Sequence, residues 1–114
     1  MLASILLVCI ELFNIDPIAI GEASYYRNEE FGGKPTASGE IFDDIKMTCA
    51  MPTGEFGTYY LVTARNKAVI VRLTDRGPFV KDRIIDLSKA AMAKLIDLDE
   101  GVVNVTIYQL RRKR

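Results

Sequence analysis

The sequence contains no His, so no imidazole is present to act as base, acid or metal ligand. Ser-His and Cys-His nucleophiles are excluded with it. Only Cys9 and Cys49 supply thiols, too few for a zinc site. Catalysis must therefore rest on carboxylates, and no metal or organic cofactor is expected. Asp75 ends an apolar strand at the lip of the loop Asp75-Arg76-Gly77-Pro78-Phe79. An Asp in front of Gly-Pro either caps the turn with its side chain or presents a carboxyl to a groove, and the residues alone leave both uses open. Glu40 lies in a polar loop, where a Glu is ordinarily solvated. Asp86 stands just before Ser88, the expected cap of a short helix, and a carboxylate there is favoured by the positive helix end. Arg76 and Arg83 read as surface or structural ion-pair partners. There is no Trp, so Tyr25, Tyr26 and Tyr59 are the flat faces on offer, for stacking or for core packing.

The elements that must position these groups are short. Gly21 to Tyr26 reads as a first strand, and Asn28 to Gly39 as a loop rich in Gly, Glu, Pro and Ser. Ile41 to Thr53 is mixed, with room for a helical turn. Tyr59 to Thr63 and Ala68 to Leu73 form a hairpin around the polar turn Arg65-Asn66-Lys67. Arg83 to Asp86 is a short apolar strand. Ser88 caps a helix over Lys89 to Ile96. Gly101 resets the chain, and Val102 to Leu110 alternates as the last strand. Val69, Val71, Leu73, Ile85, Val103, Val105 and Ile107 are the expected core. Several short strands and one small helix in 114 residues point to one mainly β domain, a small barrel.

The two ends read differently. Leu2 to Ile10 is nearly continuous apolar sequence, too short to span a bilayer. It suits the apolar part of a secretory leader over residues 1–21, with Ala19-Ile20-Gly21 as the cleavage site; packing on the domain is the other use. Membrane association is expected only through this leader or a lipid on Cys9. Once residues 1–21 are removed, Cys49 is a lone thiol, expected to be buried and inert. Residues 111–114 form a basic, solvated tail. Fifteen Lys and Arg balance fifteen Asp and Glu, so no nucleic acid is expected as a partner.

Three blocks stand in order: Gly21-Glu22-Ala23-Ser24-Tyr25-Tyr26, then Thr36-Ala37-Ser38-Gly39-Glu40-Ile41-Phe42, then Asp75-Arg76-Gly77-Pro78-Phe79 with Arg83-Ile84-Ile85-Asp86-Leu87-Ser88. Together they resemble the rare lipoprotein A (RlpA) family. The resemblance implies a six-stranded double-psi β-barrel over residues 22–110, with one or two short helices, working as a monomer in the bacterial cell envelope. It implies endolytic peptidoglycan lytic transglycosylase activity on glycan strands, preferably those lacking stem peptides. In that reaction the muramic 6-hydroxyl attacks its own anomeric carbon and leaves a 1,6-anhydro end. It implies Asp75 as general acid and base with Glu40 assisting, and a substrate groove lined by Asp86, Ser24, Tyr25, Arg76 and Met51. Many members add a lipid anchor and a SPOR domain; no SPOR domain is expected in this chain. One position departs from the family: where it has His, this chain has Met51, and a thioether moves no proton. The departure keeps a second reading open, a non-enzymatic, expansin-like module that binds glycan.

Overall fold

A computed structural model describes residues 16–26 and 32–110. Most of the expected leader with Cys9, residues 27–31 of the first loop, and the basic tail lie outside the described residues. Six strands close into a barrel: β1 (Ala19–Tyr25), β2 (Thr48–Ala50), β3 (Tyr59–Ala64), β4 (Lys67–Asp75), β5 (Arg83–Leu87) and β6 (Val103–Gln109). Around the barrel the order is β1, β5, β2, β4, β3, β6, with β6 returning to β1. The β1–β5 and β2–β4 pairs are parallel, and the other four are antiparallel.

Alternation along the strands builds the interior. Val69, Val71 and Leu73 on β4, Ile85 and Leu87 on β5, and Val103, Val105 and Ile107 on β6 are all buried, as their period of two demands. Burying such side chains stabilises by about 1.5–3 kcal/mol each. The hairpin between β3 and β4 turns on Arg65 and Asn66, both at positive φ, with Ala64 paired to Lys67. This is the two-residue turn whose twist matches the flanking strands. Ser88 caps the helix α1 (Lys89–Ala93) by accepting from the Ala91 N–H at 3.3 Å. Ala91, Met92 and Leu95 then seal the barrel beside it.

Three elements differ from the sequence expectation. The α-helix ends at Ala93 rather than Ile96, although Leu95 and Ile96 both still donate to the Met92 carbonyl. The first strand begins at Ala19, because β6 is long enough to pair with Ala19, Ile20 and Gly21. The segment Ile41 to Thr53 contains the strand β2, three fully paired residues between β4 and β5.

Candidate active site

The site is a row of four registered positions across neighbouring strands. Asp75 on β4 pairs with Ala50 on β2, Ala50 with Asp86 on β5, and Asp86 with Ser24 on β1. Cys49, Leu73, Ile85 and Leu87 point into the core. Ser24, Ala50 and Asp86 therefore point to the opposite face. A bulge brings Asp75 onto that face: Cys49 pairs with Leu73, but Ala50 skips Thr74 to pair with Asp75. Strand spacing then sets the Asp75 and Asp86 backbones about 10 Å apart, with Ala50 between them.

Each carboxylate has its own setting. Asp75 Oδ1 accepts from the backbone N–H groups of Ala37 and Arg76, both at 2.9 Å, and Oδ2 accepts from the Tyr26 hydroxyl at 3.0 Å. The two backbone donors cannot turn round to accept, so they hold Oδ1 as an acceptor. Asp86 accepts a hydrogen bond from the Ser24 hydroxyl. Burial pushes its carboxyl above the usual Asp range and the charge of Asp75 adds to this, while Ser24 and Arg83 oppose it. Arg83 is itself paired with Glu22 at 3.2 Å. Tyr26 leaves the end of β1 and reaches across the row to Asp75. Burial first, then the nearby charges of Asp75 and Asp86, push its phenol up, so it stays a donor. Its ring meets Phe42 edge-on, centroids 4.7 Å apart.

Glu40 makes a two-pronged pair with Arg72, 2.6 Å on each prong. The hydrogen bonds from that guanidinium hold its carboxyl below the usual Glu range. Arg76 turns away from the row: its Nη2 donates to the Gly54 carbonyl at 2.6 Å and its guanidinium lies 4.1 Å over the Phe56 ring. Met51 is buried with the core cluster, and its backbone meets the site, its N–H donating to the Asp75 carbonyl at 3.2 Å. Tyr25 packs against the core and donates to the Leu98 carbonyl at 3.1 Å. Asp75, Asp86 and Ser24 are thus brought together, while Glu40, Arg76, Met51 and Tyr25 direct their side chains elsewhere. Sequence reasoning named Tyr26 only as a face for stacking or core packing and did not name Arg72. The alternation of β1 held the signal for Tyr26, since Ser24 and Tyr26 share parity and Tyr25 does not. Among the described residues, no three acidic or Cys side chains gather to hold a metal ion.

The sequence profile of the lytic transglycolase family matches residues 18–107, which include all four positions of the row. The chain belongs to this family. A probable endolytic peptidoglycan transglycosylase RlpA of Treponema pallidum (strain Nichols) is 50% identical over 91 residues. That alignment covers 78% of this chain and 28% of the Treponema protein. The chain spans roughly a quarter to a third of the length of the first curated relatives it matches. Among solved structures, a Streptomyces papain inhibitor superposes with a TM-score of 0.68 at 27% identity, over 85% of this chain and 99% of that one. A Clavibacter michiganensis expansin, solved with cellohexaose, superposes with a TM-score of 0.67 at 18% identity, over 83% of this chain and 51% of the expansin. The lytic transglycolase fold here is accordingly the double-psi barrel that the three blocks imply.

Proposed function

We propose that this lytic transglycolase domain cleaves peptidoglycan glycan strands outside the cytoplasm, leaving 1,6-anhydromuramic ends. The observation that carries the reading is the row Asp75, Ala50, Asp86, Ser24 with Tyr26 lying over it. Glycosidic cleavage needs a proton on the leaving oxygen and a group to meet the charge that develops on the sugar. The resemblance assigns both proton steps to Asp75, whereas the geometry supports dividing them. Asp86, which burial holds protonated to higher pH than an ordinary Asp, gives its proton to the leaving oxygen as the bond to the anomeric carbon breaks. The muramic 6-hydroxyl attacks that carbon and passes its proton to Asp75, whose fixed donors orient it as an acceptor. Proton exchange with solvent then resets both groups, and no water enters the product. Ala50 lies between the two carboxyls in register and is itself buried. The preference for strands without stem peptides rests on family membership.

The test is incubation of the domain with peptide-free glycan strands, with anhydro ends counted by mass spectrometry. Asp75→Asn and Asp86→Asn should each lower the rate by about a hundred- to ten-thousand-fold while glycan binding persists. The second reading, a module that binds glycan without cutting it, draws on Met51, which supplies no proton-transfer group. Glycan binding by the wild type with no anhydro ends would establish that reading and end the first.

A further inference from the structure

The segment 33–42 is a small hairpin folded on itself. Gly33 N–H donates to the Phe42 carbonyl and Phe42 N–H to the Lys34 carbonyl, at 3.2 and 2.8 Å. Pro35 and Ile41 form an antiparallel bridge. At the tip, the Thr36 N–H and hydroxyl both donate to the Glu40 carbonyl at 2.8 Å. Little apolar surface seats this hairpin, for Phe42 is the one buried side chain within it. Its tip is instead tied to the last turn of β4 at three points. The Glu40 carboxylate takes both prongs of Arg72, the Ser38 N–H donates to the Thr74 carbonyl at 3.0 Å, and the Ala37 N–H donates to Asp75 Oδ1.

We propose that the Arg72–Glu40 pair is a latch that sets the Ala37 N–H against Asp75, so that Arg72 and Glu40 position the acting carboxylate and carry no proton themselves. Each Glu40 oxygen accepts from one prong of the guanidinium, so the carboxylate is committed to Arg72 rather than pointed at Asp75. A two-pronged pair fixes the plane of the carboxylate as well as its distance. Arg72 is anchored by its strand, in register with Thr48 on one side and Tyr59 on the other. The clamp therefore transmits the position of β4 to the tip, and the tip returns it to Asp75 three residues further along the same strand. Misplacing a reacting group by about 1 Å costs on the order of a hundredfold in rate, which is the scale on which such a latch acts.

The activity readout rests on the proposed function, and a second readout does not. Arg72→Met, Glu40→Gln, the double variant and Arg72→Lys are made in the full chain, and melting curves identify any that fail to fold. On peptide-free strands, kcat should fall by about tenfold to a hundredfold in both single variants, with KM little changed. The double variant should be no worse than either single. Arg72→Lys keeps the charge but loses the fork, so it should group with Arg72→Met. Independently of activity, hydrogen exchange of the Ala37 backbone amide, which the latch holds against Asp75, should quicken in both single variants. Loss of activity in Glu40→Gln with full activity in Arg72→Met would overturn the latch and make Glu40 a proton carrier. Ala37 amide exchange unchanged in both would overturn it as well. If the wild type cleaves nothing, the proposed function fails, and the Ala37 amide exchange still decides the latch.

Discussion

Asp86 and Asp75 lie on one face of the same barrel wall, yet their surroundings differ. Asp86 has one hydroxyl donor, half-burial and a neighbouring negative charge; Asp75 has two backbone donors and a phenol. The setting of Asp86 also predicts a pH effect on stability. A carboxyl raised in the folded state binds its proton there at pH values where the unfolded chain has already lost it. Stability from this group therefore falls as pH rises from the ordinary Asp range through the raised value. Asp86→Asn removes that loss. Its melting temperature should exceed that of the wild type at neutral pH, and the gap should close as pH drops below the ordinary Asp range. A gap independent of pH would mean that the burial of Asp86 is not what the substitution relieves. Tyr26→Phe keeps the ring against Phe42 and deletes the hydroxyl on Asp75. It should lower kcat by about tenfold with little change in melting temperature, read from the same glycan assay. The sequence pointed to Asp75 and Asp86 because each sits beside a loop or a cap with its own signature, and to Ser24 only through the family resemblance. It could not reveal Arg72 as the partner of Glu40, since the two are 32 residues apart and meet only through the pairing of β4 with its neighbours.

The elements that carry the site are the ones whose local pattern is weakest. β2 is Thr48-Cys49-Ala50, too short to alternate visibly and containing one β-branched residue, so it reads as loop until β4 and β5 claim it from either side. Five strands were legible from β-branched runs and turn residues, and the sixth came only with the family resemblance. The loop between β2 and β3 shows a similar dependence. Arg76, one residue beyond Asp75, holds this loop through the Gly54 carbonyl and the Phe56 ring. Gly54 has φ +106, and a Cβ there would stand 2.7 Å from the Tyr60 hydroxyl and 2.8 Å from Leu73 Cδ2. Leu73 is fully buried, so the core cannot yield cheaply. Gly54→Ala should destabilise the barrel by about 1–3 kcal/mol in chemical denaturation, through overpacking and backbone strain together. Arg76→Met should cost less stability, since it leaves the backbone where it is. A Gly54→Ala variant as stable as the wild type would show that this loop is free to move off the barrel wall.

At the scale of the whole molecule, the barrel depends on one seam, the pairing of the first described strand with the last. β1 meets β6 from Ala19 with Ile107 to Ala23 with Val103, and the Ile18 N–H extends the ladder to the Ile107 carbonyl at 2.8 Å. The same strand meets β5 from Glu22 onward, where Ser24 reaches Asp86. The N-terminal half of β1 therefore closes the barrel, and its C-terminal half supplies the site. A leader cut after Gly21, as the sequence suggests, would remove the closing half and leave β6 with an unpaired edge over those positions. Two variants separate the halves: a chain begun at Asp16 and a chain begun at Glu22. The first retains the whole seam and should melt cooperatively. The second loses three registered pairs and should melt several degrees lower, with faster exchange of the backbone amides of Val105 and Ile107, the β6 residues whose backbone faces β1. Because Ser24, Asp86, Ala50 and Asp75 all lie beyond the cut, the row of site residues should survive in whatever fraction remains folded, so loss of cleavage in the shorter chain should track loss of fold. Equal melting of the two chains would mean that the barrel closes without Ala19 to Gly21, and that a leader ending at Gly21 is compatible with the fold.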